Sequence, residues 1–169
     1  MKTCSFFGHR NTEQTEQLYT LLKKTIINLI EKHGVSTFLF GSKSSFDDLC
    51  LKAVTELKTD YPQIKSIYYR ASFQYISPQY KDYLLKSYDH TLMPLRVEKA
   101  GKASYVERNQ AMIDQSDFCV FYFNENYTPP LKRQSKNAVI MRASTSGTKR
   151  AYEYAVNKKR TIINLFKLI

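Results

Sequence analysis

Val35-Ser36-Thr37-Phe38-Leu39-Phe40, then Gly41-Ser42-Lys43-Ser44-Ser45, then Phe46 to Leu57: an apolar run, a turn of small residues, and a segment with Leu49, Ala53, Val54 and Leu57 at helical spacing. A short apolar run closed by a glycine turn reads as a buried strand, and apolar positions recurring every three to four residues read as a helix. The same succession precedes it. Thr3-Cys4-Ser5-Phe6-Phe7 is a strand and Gly8-His9-Arg10 a turn. Thr12 or Thr15 then caps a helix carrying Leu18, Leu21, Leu22, Ile26, Leu29 and Ile30, which stops at His33-Gly34. Further along, Ile64 to Tyr69 is a third strand, Phe118 to Phe123 a fourth and Thr161 to Leu165 a last one. Between the last two, Ser144-Thr145-Ser146-Gly147-Thr148 opens a helix to Asn157, with Ala151, Tyr154 and Ala155 on one stripe. Strand, turn and helix repeated in this order require parallel strands, right-handed crossovers and helices on both faces of the sheet.

In such a sheet a ligand sits outside the C-terminal ends of the strands, and Gly8, Gly41 and Gly147 all fall there. The N-terminus of the last helix favours an anion through its free N–H groups and its dipole. That field contributes about 0.3–1 kcal/mol when exposed and up to ~2 when partly buried, so it orients a phosphate but needs partners to bind a nucleotide. Ser and Thr are equally the standard capping residues, and the turn taken alone fits an ordinary helix start as well. The residues expected to line the crevice are Gly8, His9, Arg10, Gly41, Ser42, Ser144, Ser146, Gly147 and Thr148. His9 is the only histidine beside a glycine turn, and a structural or ligand-contacting role suits it better than catalysis. No clustered ligands point to a metal, and no cofactor is expected.

With 169 residues, 43% of them hydrophobic, the chain is long enough to bury a core of its own, and no linker divides it. One domain over residues 1–169 is expected, with a basic excursion at 124–143 marked by Pro129-Pro130 and Lys132-Arg133. There Ala138-Val139-Ile140-Met141 suits a short edge strand or a flap over the crevice, with disorder as the competing reading. Formal net charge is +11, and from Thr128 onward ten Lys or Arg face a single acid, Glu153. This suits an anionic partner. Helix-turn-helix spacing, zinc-finger ligands and RNP-type aromatics are missing, so any nucleic-acid binding is expected to be weak and non-specific. The sequence opens without a charged segment leading into an apolar run, and no apolar stretch approaches the roughly 20 residues that span a bilayer, so a cytoplasmic protein without membrane partners is expected. Cys4, Cys50 and Cys119 lie in apolar contexts and read as reduced core thiols. Between Tyr75 and Glu98, Tyr75, Tyr80, Tyr83 and Tyr88 suit either base stacking or the face of a homodimer.

The most specific local pattern is Glu107-Arg108-Asn109-Gln110-Ala111-Met112-Ile113-Asp114-Gln115-Ser116-Asp117, which runs directly into the strand at Phe118. Tyr105, Val106, Met112 and Ile113 mark a buried stripe, with Arg108 and Asn109 at its border. From there Arg108 can fork onto a phosphate or carboxylate, or pair on the surface with Glu107 or Asp114.

This Arg-x-x-x-Met-x-x-x-Ser-Asp pattern before an apolar strand, followed by a small-Gly-Thr turn and a helix, resembles the SLOG superfamily. That group includes the LOG phosphoribohydrolases, the DprA/Smf proteins and the YpsA-like proteins. Phe6-Phe7-Gly8-His9-Arg10, the Gly41-Ser42 turn with Phe46-Asp47 after it, and Ser146-Gly147-Thr148 with Ala151-Tyr152-Glu153-Tyr154-Ala155 and Ile162-Ile163-Asn164-Leu165 look closest to the small stand-alone, bacterial YpsA-like branch. The resemblance implies a Rossmann-like three-layer domain, with a mainly parallel sheet of about five strands in the order 3-2-1-4-5. It also implies a pocket for a nucleotide or nucleotide-derived small molecule, with Arg108 and Asn109 among its contacts. In the hydrolases of the group, an Arg matching Arg108 and a Glu four residues after the turn glycine cleave an N-glycosidic bond. Here that second position is Ala151, which can neither stabilise the developing positive charge nor hold a water. Glu153 lies about 200° around the helix from it. The primary expectation is therefore a nucleotide binder, acting as sensor, carrier or enzyme of unknown turnover. The alternative is an N-glycosidic hydrolase or transferase with a displaced carboxylate, for which Arg108 and Glu153 are the catalytic candidates. A nucleic-acid-associated protein using the basic C-terminal quarter is a third reading.

Overall fold

The computed structural model describes residues 1–129, 132–133, 141–142 and 146–169. In chain order the elements are β1 Lys2–Gly8, α1 Glu16–His33, β2 Val35–Phe40, α2 Ser45–Leu57, β3 Lys65–Tyr69, α3 Pro78–Leu85, β4 His90–Leu92, α4 Leu95–Glu98, α5 Ser104–Asp114, β5 Phe118–Tyr122, β6 Lys132–Arg133, β7 Met141–Arg142, α6 Gly147–Asn157 and β8 Thr161–Asn164. Six strands form one sheet in the order β4-β3-β2-β1-β5-β8, and every neighbouring pair in it is parallel. The five strands expected from the sequence keep the 3-2-1-4-5 order, and β4 adds a sixth at the edge beyond β3. Within the basic excursion, β6 and β7 pair antiparallel as a separate two-stranded ribbon. Ala138 to Ile140 lie outside the described residues.

Alternation along the strands assigns the two faces. On β1, Cys4 and Phe6 turn toward α1 and α2, where they join Leu18, Leu22, Ile26, Phe38, Phe40, Phe46 and Val54. Phe7 turns the other way, with Leu39, Cys119 and Phe121, against Met112 and Ile113 of α5 and Ala151 and Ala155 of α6. A parallel sheet covered on both faces has no wet side, which is why its strands read as nearly continuous apolar runs rather than alternating ones. Burying a Phe or Leu side chain contributes about 1.5–3 kcal/mol, and Phe6, Phe38, Phe40, Phe46 and Phe121 are all below 2% exposed.

Helix ends follow their caps. Thr15, not Thr12, is the N-cap of α1, its Oγ1 accepting from the Leu18 N–H at 3.1 Å. Gly34 closes α1 at φ +69°, a left-handed conformation that a side chain would strain. Ser44, Ser77 and Ser146 cap α2, α3 and α6 in the same way as Thr15.

Candidate functional site

Three loops meet at the C-terminal ends of the central strands. Gly8 is the last residue of β1, Gly41 follows β2 directly, and α6 begins at Gly147. The first two loops are laced together: Ser45 donates its N–H to the Arg10 carbonyl at 3.0 Å, and its Oγ accepts the Thr12 N–H at 2.6 Å. Thr148 Oγ1 donates to the Gly8 carbonyl at 2.8 Å, which fastens the first turn of α6 to the end of β1. Gly8, Gly41 and Thr148 therefore belong to one hydrogen-bonded and packed constellation. At Gly8 the chain passes so close to α2 that a Cβ would collide with Phe46, and at Gly41 it would lie 2.8 Å from Arg108 Cδ and Met112 Sδ. Close approach requires glycine at Gly8, whereas at Gly41 a side chain would have to displace Arg108 and Met112. Gly147 differs, because nothing lies within 4 Å of where its Cβ would be.

Arg108 is more deeply placed than its sequence position suggests. It is 5% exposed rather than at the border of the stripe, and Tyr105, expected to be buried, is 61% exposed with its ring 5.4 Å from the guanidinium carbon. Arg108 Nη1 donates to the Gly41 carbonyl, and Nε and Nη2 both donate to Asn109 Oδ1, at 3.2 and 2.9 Å. The surface pairing considered for Arg108 is made instead by Arg96. Its guanidinium reaches Glu107 and Asp114, each at 2.7 Å, and staples α4 to α5.

Beside Arg108 lies a residue that sequence reasoning quoted but did not assign to the site. Asp47, on the first turn of α2, is 3% exposed, and neither carboxylate oxygen has a hydrogen-bond partner among the described residues. Its backbone N–H is held by Ser44 Oγ at 3.1 Å, which fixes the side chain's origin. Burial pushes the carboxyl up to about 7, against the charge of Arg108 and the nearby Ser42 N–H and hydroxyl, which draw on it without reaching hydrogen-bond geometry. Burial likewise lowers the Arg108 guanidinium, which Asp47 supports. A buried acid with both oxygens unpaired is costly, and structures that keep one usually do so for a reason beyond packing. An acid in a first helical turn reads from sequence as a simple dipole complement, which is why this one gave no signal.

His9 is 4% exposed. Its Nε2 accepts the Asn124 N–H at 3.1 Å, so the ring proton resides on Nδ1, which has no partner among the described residues. Burial lowers its pKa, and the ring stacks on Tyr127 with centroids 3.9 Å apart. Arg10 and Lys43 are exposed on the two loops, and Lys149 and Arg150 are exposed on the first turn of α6, which carries no acid. Cations at a helix N-terminus oppose the dipole, an arrangement that an anion seated there would relieve. Ala151 is 3% exposed, whereas Glu153 points to solvent two residues on. Ser42 lies on the β2 loop, its Oγ accepting the Ser44 N–H at 3.1 Å, and Ser146 caps α6. Ser144 lies outside the described residues. Beyond β3, Phe73 and Tyr75 are 72% and 88% exposed, and Phe73 holds φ at +60°, strained for an aromatic residue.

A family model described as the YspA SLOG family matches residues 4–154. A comparison with curated proteins gives no match. Among the described residues no helix is long and apolar enough to cross a membrane.

Proposed function

Since the chain belongs to the YspA SLOG family, we propose that it binds a nucleotide or nucleotide-derived small molecule over the C-terminal ends of β1 and β2. The observation that carries this reading is Asp47, a buried carboxylate with both oxygens unpaired, set beside Arg108 under the Gly41 turn. The opposite end of the same crevice supports an anionic group. There the N–H groups of Gly147 and Thr148 open α6, whose first turn carries the exposed Lys149 and Arg150, while Arg10 and Lys43 are exposed on the loops after β1 and β2. Neutral His9, with its unpaired Nδ1–H, adds a hydrogen-bond donor near Gly8. Phe73, Tyr75 and Tyr105 offer flat surfaces on the β3 side. A nucleotide has the corresponding parts: phosphate, sugar hydroxyls and an aromatic base.

Asp47 also keeps the hydrolytic alternative in play. Glu153 is turned to solvent, but a carboxyl lifted to about 7 beside an arginine is the kind of group that glycosidic cleavage uses. In that case base release would depend on Asp47 rather than Glu153.

Thermal-shift and calorimetric titration against common mono- and dinucleotides test the primary reading. We expect binding by the wild type and loss in Gly147→Val, a substitution that the open space around Gly147 allows the fold to accept. Equal binding by Gly147→Val, or stabilisation by no nucleotide, sinks it. Free base released from a nucleoside monophosphate above a no-protein control, and abolished in Asp47→Asn, would favour the hydrolase.

A further inference from the structure

Resting on that reading, we infer that Asp47 is the specificity-determining residue of the site and that it takes a pair of adjacent hydrogen-bond donors from the ligand, one on each carboxylate oxygen. The argument is one of satisfaction. A carboxylate accepts on both oxygens, and Oδ1 and Oδ2 of Asp47 are both buried with no partner in hydrogen-bond geometry, the Ser42 N–H and hydroxyl pulling on the carboxyl without closing a bond to either. The nearest cation does not answer them. Among the described residues no ion pair within 4.0 Å joins Asp47 to Arg108, whose Nε, Nη1 and Nη2 are already given to Asn109 and Gly41. Arg108 is thus a positioning residue: it holds the Gly41 turn and supplies positive potential that favours the ionised, two-acceptor form of Asp47.

Two parts of a nucleotide present donors in adjacent pairs. One is the 2′,3′-diol of ribose. The other is the N1–H and 2-amino edge of guanine. Both match the spacing of one carboxylate, and charge-assisted pairing of this kind is stronger than neutral hydrogen bonding. Discrimination should be correspondingly sharp, because a ligand lacking one donor returns a buried oxygen to its unpaired state. Since both oxygens are sealed in the free chain, binding is coupled to a local opening, and association should be slower than the usual 10⁵–10⁷ M⁻¹s⁻¹ or so for unhindered docking.

The experiment is calorimetric titration of the full chain with adenosine, guanosine and inosine monophosphates and their 2′-deoxy analogues, repeated on Asp47→Asn. An amide keeps one acceptor and replaces the other with a donor, and removing the buried charge carries little risk to folding. A tenfold or greater loss on 2′-deoxygenation that disappears in Asp47→Asn supports the inference and identifies the ribose diol. A tenfold or greater preference for guanosine over inosine monophosphate that disappears in Asp47→Asn supports it and identifies the guanine edge. Discrimination that persists unchanged in Asp47→Asn overturns it, as does binding by wild type without either discrimination, and both outcomes leave the nucleotide reading standing. Binding of none of the six overturns both.

Discussion

Asp47 and Gly8 sit close along α2 and β1, yet they should respond to substitution in opposite ways. At Gly8 the strand lies so near Phe46 that an added methyl group has no room, and Phe46 is fully buried and cannot retreat. Gly8→Ala should lower stability by about 1–3 kcal/mol, the usual cost of overpacking, whereas Gly147→Ala should leave the denaturation midpoint nearly unchanged. Chemical denaturation of the two variants makes the comparison. For Asp47, burial raises the folded carboxyl from 3.8 to about 7. Between those values the folded chain holds a proton that the unfolded chain has released. Stability of the ligand-free protein should therefore fall as pH rises through that window, by on the order of a few kcal/mol. Asp47→Asn should flatten the profile and be the more stable protein at pH 8. A wild-type profile already flat between pH 4 and 7 would contradict this. Gly8, Gly41 and Gly147 stood out in the sequence because each falls in the turn between a strand and a helix. Asp47 did not, because burial of an acid is decided by Arg108 and the elements packed around α2 rather than by its neighbours in sequence.

At the scale of elements, the proposed site rests on helix ends. Ser146 accepts the Lys149 N–H at 3.4 Å, and Thr148 anchors the same turn to the Gly8 carbonyl. Ser146→Ala should cost about 1 kcal/mol as a lost N-cap, while Thr148→Val should cost a similar amount and loosen α6 against β1. The loosening is measurable as faster hydrogen exchange in the α6 amides without a matching change in α1. Five of the six sheet strands followed from continuous apolar runs closed by turns, and their order from the resemblance to the SLOG superfamily. The sixth, His90–Leu92, is three residues long at an edge, too short to display a period. The helix Pro78–Leu85 was hidden in the same stretch, since its tyrosines obscured the apolar stripe and only Leu84 is buried. Tyr105 misled for a related reason: helical spacing placed it on the stripe of α5, but the sheet ends before reaching it and the ring covers Arg108 instead.

For the whole molecule, the balance of charge sets the terms of association. With a formal charge of +11, the chain should adhere to any polyanion at low ionic strength. A groove contacting six or more phosphates would lose roughly a thousandfold in affinity between 50 and 200 mM salt, while a pocket holding one or two would change far less. We expect oligonucleotide binding to vanish by about 200 mM salt, as non-specific contacts do, and mononucleotide binding to survive it. Fluorescence anisotropy with a labelled oligonucleotide and with a labelled mononucleotide across that range separates the two. Submicromolar oligonucleotide binding at physiological salt, lost in Lys132→Ala/Arg133→Ala, would make the basic surface the functional one.

The central place of β1 has a consequence for how the protein is made. Its two neighbours are β2 on one side and β5 on the other, and Cys4 pairs with Phe118 across most of the chain. On a ribosome working at about 5–20 residues per second, the β5 side of that strand waits roughly 4 to 16 seconds for its partner after the β2 side has one within reach. Through that interval the nascent chain carries an apolar half-sheet with one open edge, lined by Phe6 and Phe7. Codon-dependent pauses before residue 118 would lengthen the exposure, and a circular permutant that brings β5 out before β1 would shorten it.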